Sequence, residues 1–208
     1  MNIDINKMFK DKNKEIFKNS LTLEMERNLD TLKNTTDNCV ALEINKLFLF
    51  FKKYFHECNI SFKKEELLGF LYKEKKVIND IVNEEIENKK RRIEENFLTK
   101  DNKEETLDNE YLDNYYIVLK NETNIINESI EKKIAEHITI EFTPNIIKKY
   151  KLNTIEQSER IHSRINILFK DNIISRIKEQ IIFRDESLKN MSQESYNKYL
   201  DLNKTTTE

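Results

Sequence analysis

This sequence predicts an all-α fold, an elongated multi-helix bundle of five to seven helices with no significant sheet. Three observations carry that expectation. The 208 residues include one glycine, Gly69, and one proline, Pro144, so tight hairpins, which need positive φ, have almost nothing to turn on. Apolar residues recur at steps of three and four through most of the chain, the pattern of amphipathic helices. One segment, Cys39–Cys58, is denser in aromatic side chains than any other. At about 100° per residue, Val40, Ile44, Leu47, Phe48, Phe51, Tyr54, Phe55 and Cys58 share one broad arc, with Phe50 at its edge. An arc that wide needs at least two neighbouring helices to cover it, which makes this the central helix.

The first helix is expected over about 5–32, through Phe17, Leu21, Met25, Leu29 and Leu32. Asn34 reads as the left-handed terminator that glycine usually supplies, a role repeated at Asn59, Asn102, Asn153 and Asn190. Thr36 or Asp37 then caps the aromatic helix. Ser61 caps a third helix reaching Phe97, with Leu67, Leu71, Ile78, Val82, Ile86 and Ile93 on its apolar stripe. Gly69, inside that helix, reads as the close approach of a neighbour. The polar, aperiodic stretch 99–108 is the clearest break.

A fourth helix runs from about 109 to 138 through Leu112, Tyr116, Leu119, Ile126, Ile130, Ile134 and Ile138, with 138–142 (ITIEF) as its frayed end. Thr143-Pro144 opens a short helix ending near Tyr150. Thr154 with Gln157 resembles a capping box and opens a helix to about Leu188, with Ile161, Ile165, Phe169, Ile173, Ile177 and Ile181 as its stripe. Ser192 caps a last short helix. The expected organisation is a single bundle over 1–202, with a subdivision near 99–108 as the alternative, and a disordered tail over 203–208.

Composition narrows the chemistry. Charged residues make up 36% but the net charge is −2, so no gross field points to nucleic acid or to a membrane surface. With one glycine the chain cannot write a Gly-rich phosphate loop, which sets aside the usual dinucleotide and P-loop folds. Cys39 and Cys58 would lie roughly 28 Å apart on one helix, beyond disulfide reach, and read as buried thiols in a reducing compartment. Residues 1–20 have no apolar core of a signal peptide. Residues 47–51 (LFLFF) are far too short to span a bilayer. A cytoplasmic protein without membrane association or cofactor is expected.

Each candidate site has a plainer competitor. Glu159 and His162 share a helix face at the spacing of di-iron bundles, but neither His56 nor His137 supplies the second Glu-x-x-His motif. His56 and Cys58 point about 160° apart on a helix and do not chelate together. The basic run Lys89–Arg92 is bracketed by glutamates that can neutralise it. Residues 101–131 hold nine acids and two bases, whereas 143–184 hold nine bases and four acids. Unless the first stretch covers the second, Lys148, Lys149, Lys151, Arg160 and Arg164 form an anion-binding surface for nucleic acid. Leu42, Leu49 and His56, spaced by seven, lie on the polar back of the aromatic helix. They read either as a second internal packing contact or as a groove for a partner.

These observations lead to a non-enzymatic interaction, scaffold or oligomer-forming protein whose partner is another protein or itself, binding through Leu42, Leu49 and His56. The alternative is a nucleic-acid-binding protein using the basic zone. A helical metalloenzyme on Glu159 and His162 comes third, and no catalytic residue or metal ligand is assigned.

Overall fold

The computed structural model describes residues 5–98 and 109–205, and among them the chain is entirely helical, without strands. Helix α1 spans Ile5–Glu57 and α2 spans Lys64–Ile93, continuing into a π-helical turn at Glu94–Leu98. Helix α3 (Asn109–His137) passes through a π turn at Ile138–Phe142 into α4 (Thr143–Lys149). Helix α5 (Ile155–Ile165) passes through a π turn at Asn166–Asp171 into α6 (Asn172–Thr205). These segments join without interruption into four helical rods among the described residues, not the five to seven helices expected. No helix among them is long and apolar enough to cross a membrane.

The surplus breaks came from polar residues read as terminators. Asn34, Thr36 and Asp37 all lie inside α1, a helix of 53 residues. The Thr36 hydroxyl donates to the Lys33 carbonyl at 2.9 Å, and Asp37 accepts from Lys75 of α2 and pairs with Asn79. Side chains that could have ended the helix are thus occupied while it continues. Asn190 and Ser192 likewise fall within α6, with the Ser192 hydroxyl turned back to the Leu188 carbonyl. Asn59 does terminate α1 at φ 53°, and the Ile60 N–H reaches the Phe55 carbonyl across it. The matching residue after α4 is Lys151 at φ 51°, not Asn153. Thr154 caps α5 as expected, accepting from the Gln157 N–H. Helix α2 begins at Lys64, three residues after Ser61. The stretch 99–108, with Asn102, and residues 206–208 lie outside the described residues, while α6 runs on to Thr205.

The described residues form two compact units. One draws on Met1–Leu32, Glu87–Ile125 and Ile182–Glu208, and the other on Lys33–Ile86 and Ile126–Ile181. In the first, Phe17 meets the rings of Tyr111, Tyr196 and Tyr199 at 5.5–6.5 Å. In the second, the aromatic segment of α1 buries Val40, Ile44, Leu47, Phe51, Tyr54 and Phe55, while Phe48, Phe50 and Cys58 are half-buried. Each of these fully buried side chains contributes about 1.5–3 kcal/mol relative to exposure. Phe55 contacts both Phe62 and Tyr150, tying the turns after α1 and α4 to the same ring.

The π turns follow from the apolar spacing. Ile126, Ile130, Ile134, Ile138, Phe142 and Ile146 are all buried, as are Ile161, Ile165, Phe169, Ile173, Ile177 and Ile181. A step of four advances an ideal α-helix by 400°, so five steps carry the stripe about 200° off its starting face. A π turn houses one extra residue and takes back about 100° of that drift. The segment 138–142 is therefore an integral part of the rod, with Thr143 N–H bonded to the Ile138 carbonyl five residues back, instead of a frayed end.

Gly69 is exposed, and a Cβ placed on it would meet no atom within 4 Å. No neighbour presses on it, which corrects the close-approach expectation. Gly69→Ala is expected to raise stability by about 0.5–1 kcal/mol through the helix preference of alanine. Chemical denaturation of the two proteins checks this, and a destabilised variant would contradict it.

Candidate functional site

The back of α1 carries two exposed leucines of the second unit. The burial of the aromatic arc forces the opposite face outward, and Leu42, Asn45, Lys46, Leu49, Lys52, Lys53 and His56 are all exposed. Leu42 is 45% and Leu49 63% accessible, so neither makes the second internal packing contact that was one expectation for them. Leu49, Lys52, Lys53, His56, Glu57 and Phe62 line a groove of about 530 Å³.

The surroundings of this face are cationic. Glu43 is fully buried, and its Oε1 binds Lys46 at 2.8 Å and Arg176 at 3.0 Å. Its Oε2 has no hydrogen-bond partner among the described residues. Glu57 is shared between Lys53 at 3.8 Å and Arg160 at 3.6 Å. Arg160 also lies 4.9 Å from the Tyr54 ring, and Arg164 lies 6.0 Å from that of Phe50. Arg160 and Arg164 belong to the margin of the α1 face, while Lys148, Lys149 and Lys151 stand exposed at the end of α4 and form no ion pair among the described residues of their unit. Of the acidic stretch, Glu131 pairs with Lys178.

Two buried polar clusters escaped the sequence reading. In the first unit, Lys89 is buried, and its Nζ donates to Thr123 Oγ1 at 2.7 Å and to Asp185 Oδ1 at 2.5 Å. The Thr123 hydroxyl donates to the other Asp185 oxygen, which closes the triangle. Burial pushes the Lys89 ammonium below its ordinary pKa, against the opposing pull of Asp185. Thr123 and Asp185 border a cavity of about 390 Å³ with Tyr116, Leu119 and Ile182. Lys90 pairs with Glu26 and Glu94, and Arg92 with Glu122. The basic run is thus largely consumed by ion pairs, mostly to other helices instead of to its own. The signal was present in the spacing, since Lys89 stands three after Ile86 and four before Ile93, on the buried stripe of α2.

In the second unit, His137 Nε2 lies 2.6 Å from Glu74 Oε2, with Glu141 3.5 Å from its Nδ1. The hydrogen bond to Glu74 raises the imidazole above its ordinary pKa of 6.5, against burial and helped by Glu141. Nothing in the spacing could pair His137 with Glu74, 63 residues away.

The remaining expectations resolve simply. Glu159 and His162 are both exposed on α5. No three His, Cys, Asp or Glu side chains among the described residues converge as metal ligands. Cys39 and Cys58 are free and half-buried, not fully buried, and burial raises the Cys39 thiol above its ordinary pKa. Leu42, Leu49 and His56 share one face, and Arg160 and Arg164 lie at its margin. No known protein family, curated protein or solved structure matches this chain.

Removing one member of a buried ion pair leaves the other charge uncompensated, so Asp185→Ala is expected to cost about 3–5 kcal/mol. The double variant Lys89→Met/Asp185→Leu should recover most of that loss in denaturant titrations. His137 supplies stability that is fully present below its unfolded pKa and is lost as pH rises through the raised folded value. The melting temperature should therefore carry a component that falls as pH rises from about 6.5 through the raised folded value. Glu74→Gln should remove that component, and an unchanged pH profile would contradict the assignment.

Proposed function

We propose that this chain is a cytoplasmic, non-enzymatic interaction protein that engages another protein, or a further copy of itself, through the back of α1. The observation that carries this reading is Leu49, 63% accessible beside a groove lined by His56 and Phe62. An exposed leucine alone is ordinary. Two leucines seven residues apart, continued by a groove on the same helix face, form a docking stripe. The polar clusters speak for a structural role, because Lys89 is enclosed by its own partners and Glu74 and His137 are bound to each other. Long helices that present one face to a core and another to solvent suit a scaffold.

A second reading, nucleic-acid binding, draws on Lys148, Lys149 and Lys151, which are exposed on one helix end and its following turn. Binding of that kind weakens steeply with salt.

A photo-cross-linking residue in place of Leu49 separates the two. Discrete adducts with a protein or a second copy, resistant to nuclease, are expected at position 49 and not when the same residue replaces exposed Glu128. Failure to form them would overturn the docking reading. Retardation of a short RNA or DNA at low salt, abolished by Lys148→Gln/Lys149→Gln/Lys151→Gln, would favour the second.

A further inference from the structure

We infer that the back of α1 accepts an acidic amphipathic helix from a different protein, an assignment that rests on the docking reading above and gives its partner a chemistry. The argument begins with charge. Lys46, Lys52, Lys53, Arg160, Arg164 and Arg176 surround the face, and Glu43 and Glu57 are the carboxylates that pair with them. Each of those carboxylates is already divided between two cations. Glu156, which acts on Tyr54, and Glu179, which acts on Cys39 beside Arg176, bring the acids to four against six bases. Lys52 forms no ion pair among the described residues of the unit. A partner that brings carboxylates completes this set, and one that brings lysines is repelled.

Shape points to a helix. Leu42, Leu49 and His56 follow one line of α1 at intervals of seven residues, a run of roughly 21 Å. That length matches about four turns of a partner helix laid alongside, with apolar residues toward the leucines and acids toward the flanking lysines. The leucine centre distinguishes this occupant from nucleic acid, whose phosphates and bases gain little from aliphatic side chains. Tyr54 is buried and the half-buried Phe50 ring has Arg164 beside it, so neither offers an open ring for a base to stack on. A second copy fits less well, because a two-fold contact through this face brings like-charged lysines together.

The test is fluorescence anisotropy with four labelled probes and the full-length protein. One is an 18-residue helical peptide with leucine at i, i+3, i+4 and i+7 and glutamate on the flanks. The second is the same composition scrambled, the third carries lysine for glutamate, and the fourth is a single-stranded 20-nucleotide DNA. The first is expected to bind at micromolar concentrations, and the other three at least tenfold more weakly. Leu49→Ala and the charge reversal Lys52→Glu/Lys53→Glu should each weaken the first about tenfold, with helix content and melting unchanged because all three residues are exposed. Equal binding of the scrambled peptide or the DNA would reduce the face to a generic polyanion surface and overturn the inference. Absence of binding to the amphipathic peptide would overturn it as well. If nuclease-resistant protein adducts still form at position 49, only the partner chemistry falls. If they are absent too, the docking reading falls with it.

Discussion

Apolar residues that return at every fourth position, on helices that turn every 3.6, are the constraint on which this structure depends. Over 126–146 and over 161–181 the buried stripe would wind off the core if each rod were α-helical throughout. A wider π turn in each rod returns the stripe to its face, and the turns place Phe142 and Phe169 with their ring centres 5.5 Å apart. Both irregularities thus serve packing. That weakens the usual association of π turns with function, since here the drift of the stripe explains them.

Burying so much of the aromatic segment has a consequence on its opposite side. The face of α1 that carries Leu42, Leu49 and His56 faces solvent because Ile44, Leu47, Phe51 and Phe55 have taken the interior. Cations gather at its margin for the same reason. Arg160 and Arg164 lie over the rings of Tyr54 and Phe50 at the edge of the core. The buried arc and the exposed face are therefore two sides of a single packing arrangement.

The buried polar groups show how a strongly charged chain accommodates ions in helical interiors. Lys89 with Asp185 and Thr123, and Glu74 with His137, satisfy one another across helices. Such pairs add little net stability against an apolar replacement, but losing one partner is costly. They favour one register of helix against helix, since Lys89 finds both its acceptors only in that alignment.

Much of the fold was legible beforehand. Periodicity alone placed the stripes of α2, α3 and α5–α6, because burial of an amphipathic face depends on local spacing; one position shifted, with Tyr115 buried where Tyr116 was expected. Asn59 and Thr154 were likewise readable, as their terminating and capping chemistry lies within a few residues. What the sequence could not decide was whether a polar residue stops a helix or is held by a neighbour. Asp37 stays helical while Lys75 and Asn79 of another helix engage it. Exposure of Leu42 and Leu49 and the ion pairs of Lys89 and His137 were settled by tertiary structure for the same reason. Each depends on which distant helix arrives beside it, and local spacing contains no record of that.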